Sequence, residues 1–219
     1  GNLADASIPP RLVDAVLAAT GAIDILVNNA GCNWAAPAVD YPAESWRKVM
    51  DLDIDATDVT RGVYKVVQTI PVKSGASDLV LLLPQWLPGK HGPRGALAEM
   101  TGLKIRANGK LLTWTRDPVE VYAFHVDTPA GTRSVDVEFQ FTSPVQGSEG
   151  RIVVTPAMMN IQWEQVALYP AGHFTRAIQV QPSITLPKGW TGVAALDGAK
   201  TTGNRIDYRV TTFETLVDS

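Results

Sequence analysis

At 219 residues, 45% hydrophobic and 19% charged, the chain has the composition of a globular protein and the length of one large domain or a domain with an appendage. A formal charge of −3 argues against a nucleic-acid partner, which requires a basic face, and no apolar run reaches the roughly 18 residues of a membrane span. Cys32 stands alone, so no intramolecular disulfide is possible, and without a legible leader the localisation stays undetermined.

In chain order, Pro9 and Pro10 precede Leu12, Val13, Val16 and Leu17 at helical spacing, and Gly21 follows as a stop. The short apolar run 23–27, ending at Asn28-Asn29, predicts a strand buried on both faces, as in parallel sheets. Tyr41-Pro42 leads into a second predicted helix over 43–50, with Trp46, Val49 and Met50 on one face. The period then changes to two. Leu52, Ile54 and Ala56 alternate with Asp51, Asp53 and Asp55, placing a boundary at 49–56. Further strands are predicted at 63–70, 79–83, 103–107, 110–114, 120–127, 151–155, 162–168 and 175–181. The clearest alternation is Val135, Val137, Phe139 and Phe141 against Asp136, Glu138 and Gln140, repeated by Ile206, Tyr208 and Val210. Asn108-Gly109 between two apolar runs signals a hairpin, and prolines from Pro71 to Pro187 punctuate the rest. The predicted class is mainly β: an antiparallel β-sandwich or saddle-shaped domain over 51–219, carrying a small N-terminal helix–strand–helix α/β segment over 1–50.

The stretch Ile23-Asp24-Ile25-Leu26-Val27-Asn28-Asn29-Ala30-Gly31, with Leu3-Ala4-Asp5 and Trp46-Arg47-Lys48-Val49 around it, resembles the short-chain dehydrogenase/reductase family over about the first 50 residues. The resemblance implies that Asn28, Asn29, Ala30 and Gly31 are the remnant of a cofactor-side turn, where small residues let backbone approach a dinucleotide. The family's other requirements are missing. No G-x-G-x-x-G turn occurs, since Gly89, Gly92 and Gly95 have the wrong spacing. Nor does any Tyr carry a Lys four residues on: Tyr41, Tyr64, Tyr122, Tyr169 and Tyr208 are followed there by Ser45, Gln68, Val126, His173 and Thr212. Hydride transfer by this chain alone is excluded and no cofactor is expected. Asp53 falls where that family would place an Asn.

From about residue 51 a second resemblance takes over. It is carried by Asp55-Ala56-Thr57-Asp58, Leu83-Pro84-Gln85-Trp86-Leu87-Pro88-Gly89-Lys90-His91, Trp114-Thr115-Arg116-Asp117-Pro118, Tyr122-Ala123-Phe124 and Leu168-Tyr169-Pro170-Ala171-Gly172. These resemble the β domain that precedes the catalytic domain in the glycyl aminopeptidase family of zinc metallopeptidases, with Gln85 and Lys90 departing from the commonest loop pattern. The resemblance implies contact with a peptidase domain and a place beside its cleft, and the closing Glu214–Ser219 looks like the seam before that domain. Peptidases of this kind hold zinc through His-Glu-x-x-His on a helix. His91, His125 and His173 are followed by Gly92, Val126 and Phe174, so no metal site and no catalytic residue are expected.

Gln85, Trp86, Lys90 and His91 form the candidate interaction loop: Pro84 and Pro88 stiffen it, and Trp86 offers a broad apolar face to a partner or peptide. A tryptophan so placed more often packs under its own loop. Trp114, Arg116 and Asp117 read as a structural corner, His125 as a hydrogen-bonded strand residue, and Cys32 as a thiol without a His or Asp relay. Asp51, Asp53, Asp55 and Asp58 lack the Gly and closing Glu of a calcium loop and read as a solvated turn. The expected function is a non-catalytic, recombined chain joining the β domain of an aminopeptidase to a dehydrogenase fragment. The alternatives are part of a glycyl aminopeptidase whose zinc domain is missing, and an NAD(P)-dependent oxidoreductase remnant. Strand 23–27 has no encoded sheet neighbours and would leave roughly 400 Å² of apolar side chain uncovered, so self-association through the N-terminal segment is expected.

Overall fold

The computed structural model describes residues 8–21, 49–72, 78–86, 92–93, 95, 97–144 and 154–219. The chain divides into two compact units, Gly1–Asp40 and Tyr41–Ser219. In the first, helix α1 spans Ile8–Thr20. Pro9 and Pro10 sit in its first turn, where a missing N–H removes no intrahelical bond. Gly21, at φ 79°, ends the helix by donating its N–H to Leu17 O at 2.8 Å. The predicted strand 23–27, the remnant Asn28, Asn29, Ala30 and Gly31, and residues 43–48 of the predicted second helix lie outside the described residues. Met50 does not close that helix. It opens a strand and is 2% exposed, because its side chain is the first of a period-two apolar series.

The second unit contains strands β1 (Met50–Asp58), β2 (Val63–Pro71), β3 (Asp78–Leu82), β4 (Met100–Ala107), β5 (Lys110–Leu111), β6 (Trp114–Arg116), β7 (Ala123–Asp127), β8 (Ser134–Thr142), β9 (Tyr169–Pro170), β10 (Gln179–Thr185), β11 (Lys200–Thr202), β12 (Arg205–Asp207) and β13 (Thr211–Thr212), closed by a short helix α2 (Phe213–Val217). They form two sheets. The larger runs β11-β12-β10-β1-β2-β8-β4-β5, with β13 also on β10, and the smaller runs β6-β7-β3-β9. Alternation decides which face is buried. β1 buries Met50, Leu52, Ile54 and Ala56; β2 buries Tyr64, Val66, Gln68 and Ile70; β8 buries Val135, Val137, Phe139 and Phe141. Leu79, Leu81, Phe124 and Val126 of the smaller sheet join the same core cluster, giving a mainly β two-sheet sandwich.

Several features depart from the sequence reading. The larger sheet is mixed, because β1 and β10 run parallel from Met50↔Val180 to Asp55↔Thr185. Residues 162–168 do not form a strand: Trp163–Gln165 make a 3-10 turn, Val166 bends at φ −119° and ψ 18°, and strand begins only at Tyr169, so the continuous burial of Val166, Ala167 and Leu168 is that of a buried connection. The apolar run 110–114 breaks after Leu111, and the run 120–127 is strand only from Ala123. Pro182, expected to punctuate, lies inside β10 opposite Leu52. It falls in the gap between the β13 and β12 pairings, its carbonyl accepting from Tyr208 N at 3.0 Å, so its nitrogen faces that gap and no bond to β1 is lost. The Asn108-Gly109 turn has φ of 50° and 76°, the pair of positive values that a tight hairpin needs, and it joins β4 to β5.

Candidate functional site

The chain leaves β3 through Leu83 and Pro84, both buried, with Leu83 N donating to Tyr122 O at 3.0 Å. At Gln85 and Trp86 it turns outward. Trp86 is 65% exposed, so the indole does not pack beneath its own loop. Its edge is nonetheless held: in the amide orientation that satisfies both neighbours, Gln85 accepts from Trp86 Nε1 at 2.9 Å and donates to Glu120 Oε1 at 2.6 Å. Lys90 and His91, the other two residues of the candidate loop, lie outside the described residues. Further along, Gly95 is wedged in place, since a Cβ there would run into the Tyr122 ring and stand 2.9 Å from Pro84 O.

Glu120 is presented by a turn that Asp117 organises. Asp117 Oδ1 accepts from the N–H groups of Val119 and Glu120, each at 2.8 Å, and Oδ2 lies 3.0 Å from His125 Nε2 on β7. Such a short side chain capping the two backbone donors ahead of it is a standard way to fix a turn. The predicted corner is therefore real in place but different in wiring: Asp117 bonds its own turn and His125, while Trp114 donates Nε1 to Leu103 O at 3.3 Å and meets Phe124 edge-on. The guanidinium that stacks on a ring is that of Arg176, 4.7 Å from the Phe174 centroid. The two backbone hydrogen bonds, and after them His125, hold the Asp117 carboxyl below the ordinary carboxylate value. A depressed folded-state value means that this contribution is complete above the ordinary value and is lost as pH falls through the lowered one. An NMR titration of the Val119 and Glu120 amides is expected to give a midpoint below 3.8, the ordinary Asp value. A midpoint at or above it would show that the turn is not tied this way in solution.

The turn also reaches the end of the chain. Burial, and after it the charge of Glu120, pushes the Tyr169 hydroxyl up, and the Tyr169 ring lies 4.8 Å from that of Phe213, the first residue of α2. Trp86, Gln85, Glu120, Tyr169 and α2 are thus linked neighbours at one end of the smaller sheet. Sequence spacing could not reveal this grouping, which joins four separated stretches of chain; the Trp86 loop and the Tyr169 motif each carried a signal, but nothing joined them to Glu120.

The acidic run on β1 has structural roles. Asp53 pairs with Arg205 at 2.7 Å, Asp55 accepts from Thr57 and faces Lys65, and Asp58 pairs with Arg61. Arg205 also bonds Asp207 at 2.9 Å and Ser183 at 2.7 Å, so one guanidinium ties β1, β10 and β12 together. These residues belong to a strand rather than a solvated turn, and Asp53 is a strand clasp. Among the described residues, no group of three or more His, Cys, Asp or Glu side chains stands close enough to hold a metal ion, and no helix is long and apolar enough to cross a membrane.

Two sheets sharing one core, with an outward tryptophan beside a pinned acidic turn, define a β-sandwich module whose distinctive chemistry lies on its surface. Residues 51–219 match the Peptidase M61 N-terminal domain, and the chain belongs to that family. Residues 1–75 match the short chain dehydrogenase family. Over 44 residues the chain is 46% identical to the rhamnolipids biosynthesis 3-oxoacyl-[acyl-carrier-protein] reductase of Pseudomonas aeruginosa, covering 20% of this chain and 17% of that one. In structure it is similar to an aminopeptidase N family protein from Idiomarina loihiensis, with TM-score 0.59 and 16% identity over 78% of this chain and 28% of that one. An M1 zinc metallopeptidase from Deinococcus radiodurans matches at TM-score 0.35 and 16% identity, over 75% of this chain and 38% of that one. The chain spans less than a third of the first two of these relatives.

Proposed function

We propose that residues 51–219 act as a non-catalytic docking domain for a peptidase domain, and that this chain is a recombined join of that domain to a short-chain dehydrogenase fragment with no complete active site. The observation that carries the reading is the exposed Trp86, held by Gln85 and Glu120 on the same end of the smaller sheet as α2. Large exposed aromatics fixed by their neighbours are typical anchors of protein interfaces. The match to the Peptidase M61 N-terminal domain supports a peptidase domain as the partner.

The test is calorimetry of the full chain against a separately prepared catalytic domain of the same peptidase family. Saturable binding is expected, and Trp86→Ala is expected to weaken it at least tenfold, about 1.4 kcal/mol or more. Absence of binding, or indifference to Trp86→Ala, would overturn the reading.

The 44-residue likeness to a reductase supports the dehydrogenase origin of the first segment. That segment is proposed to bring two copies of the chain together, because an apolar run of strand-like composition such as 23–27 is a template for pairing. Light scattering across a dilution series is expected to show a dimer that dissociates on dilution. A strict monomer at every concentration would contradict the proposal.

A further inference from the structure

We propose that Trp86, Gln85 and Glu120 form a binding site for an arginine side chain carried on the surface of a partner protein. The inference rests on the reading of this end of the sheet as the docking face and specifies the chemistry that the face recognises.

Three observations point to a guanidinium. The indole of Trp86 is 65% exposed and its N–H is already satisfied by Gln85, so what it offers an incoming group is its ring face. A cation over a tryptophan face is the strongest pairing of this type. Beside the ring stands the Glu120 carboxylate. Its Oε1 accepts from Gln85 at 2.6 Å, while Oε2 has no hydrogen-bond partner among the described residues. The Gln85 amide links the two, bonded to the indole on one side and to the carboxylate on the other, so an incoming group meets both in one neighbourhood. Arginine stacks flat on an aromatic face and bonds a carboxylate from its edge; the lysine ammonium is compact and strongly hydrated and does the first of these poorly.

The site is also assembled before anything binds. The backbone N–H of Glu120 is tied to Asp117 at 2.8 Å, and the backbone of the residue before Pro84 is tied to Tyr122 at 3.0 Å. The backbone that carries both side chains is therefore fixed beforehand, which favours affinity from a small contact.

The experiment uses the full chain and N-acetyl-arginine amide as the probe, read on the indole N–H resonance of Trp86, which is identified by its disappearance in Trp86→Phe. A saturable shift with a millimolar midpoint is expected. N-acetyl-lysine amide should bind several-fold more weakly, and the uncharged N-acetyl-citrulline amide should leave the resonance unmoved. Glu120→Gln, which keeps the size of the side chain, should raise the arginine midpoint at least tenfold. Trp86→Leu, followed on the Glu120 amide, should abolish the shift. An equal response to citrulline, or a Glu120→Gln variant that binds arginine unchanged, overturns the proposal. Failure here is separable from failure of the docking reading. Docking of the peptidase domain that survives Glu120→Gln at full strength sinks the arginine assignment alone, whereas no docking by the unmodified chain sinks the reading beneath it.

Discussion

Gln68→Leu is expected to destabilise the β domain by about 4 kcal/mol and to lower its thermal midpoint by roughly 10 °C. Gln68 is 0% exposed on β2, and its side-chain amide reproduces a β-ladder step. Nε2 donates to Leu168 O at 3.0 Å and Oε1 accepts from Leu168 N at 2.8 Å. Leu168 is itself 0% exposed, in the buried connection that follows the Trp163–Gln165 turn. Leucine nearly matches glutamine in volume, so the substitution opens no cavity. What it does is strand one backbone donor and one acceptor in an apolar interior, each costing about 1–3 kcal/mol. Urea denaturation monitored by tryptophan fluorescence measures the loss. A change below about 1 kcal/mol would mean that the Leu168 backbone finds other partners.

Phe213→Ala is expected to cost a similar amount, about 4 kcal/mol, through a different mechanism. Phe213 is fully buried, opens α2 and packs on Tyr169 at 4.8 Å. Its backbone N–H still reaches Ile178 O at 2.9 Å, and Thr212 still caps the helix through Thr215 N at 3.1 Å, so the loss is one of packing alone. Phe213→Leu should recover most of it, leaving a deficit of about 1.5 kcal/mol or less. The alanine variant should also expose Tyr169 and admit protease at α2, which limited digestion followed by mass spectrometry detects. If Phe213→Ala unfolds no earlier than the unmodified chain, α2 is not part of the cooperative core.

Where burial alternates along a strand, its placement was legible. Val135, Val137, Phe139 and Phe141 could only be a half-buried strand, and β8 runs from Ser134 to Thr142. The series Leu52, Ile54, Ala56 marked β1 for the same reason, and Asn108-Gly109 marked its hairpin because few residue pairs accept two positive φ angles. Where burial is continuous, periodicity has nothing to report. Trp163, Val166, Ala167 and Leu168 looked like a strand because a buried connection and a doubly buried strand have the same composition. The parallel neighbour of β1 was illegible because pairing between distant stretches leaves no local mark. At the candidate site, Trp86 was visible as an unusual residue, but its exposure depends on Gln85 meeting Glu120, a contact between residues with no pattern in common.

The parallel pairing of β1 with β10 orders events during synthesis. Ser183 donates to Leu52 O across 131 positions of chain. A ribosome adding about 5–20 residues per second therefore delivers the partner of β1 on the order of ten seconds after β1 itself emerges. Through that interval β1 presents one unsatisfied edge, and such long-range pairings are slow to close. A nascent chain of this kind invites chaperone capture or mispairing with its neighbours on the same message. Slower elongation before Gln179 is thus expected to lower the yield of folded chain, which expression from a message with rare codons over 59–178 would measure.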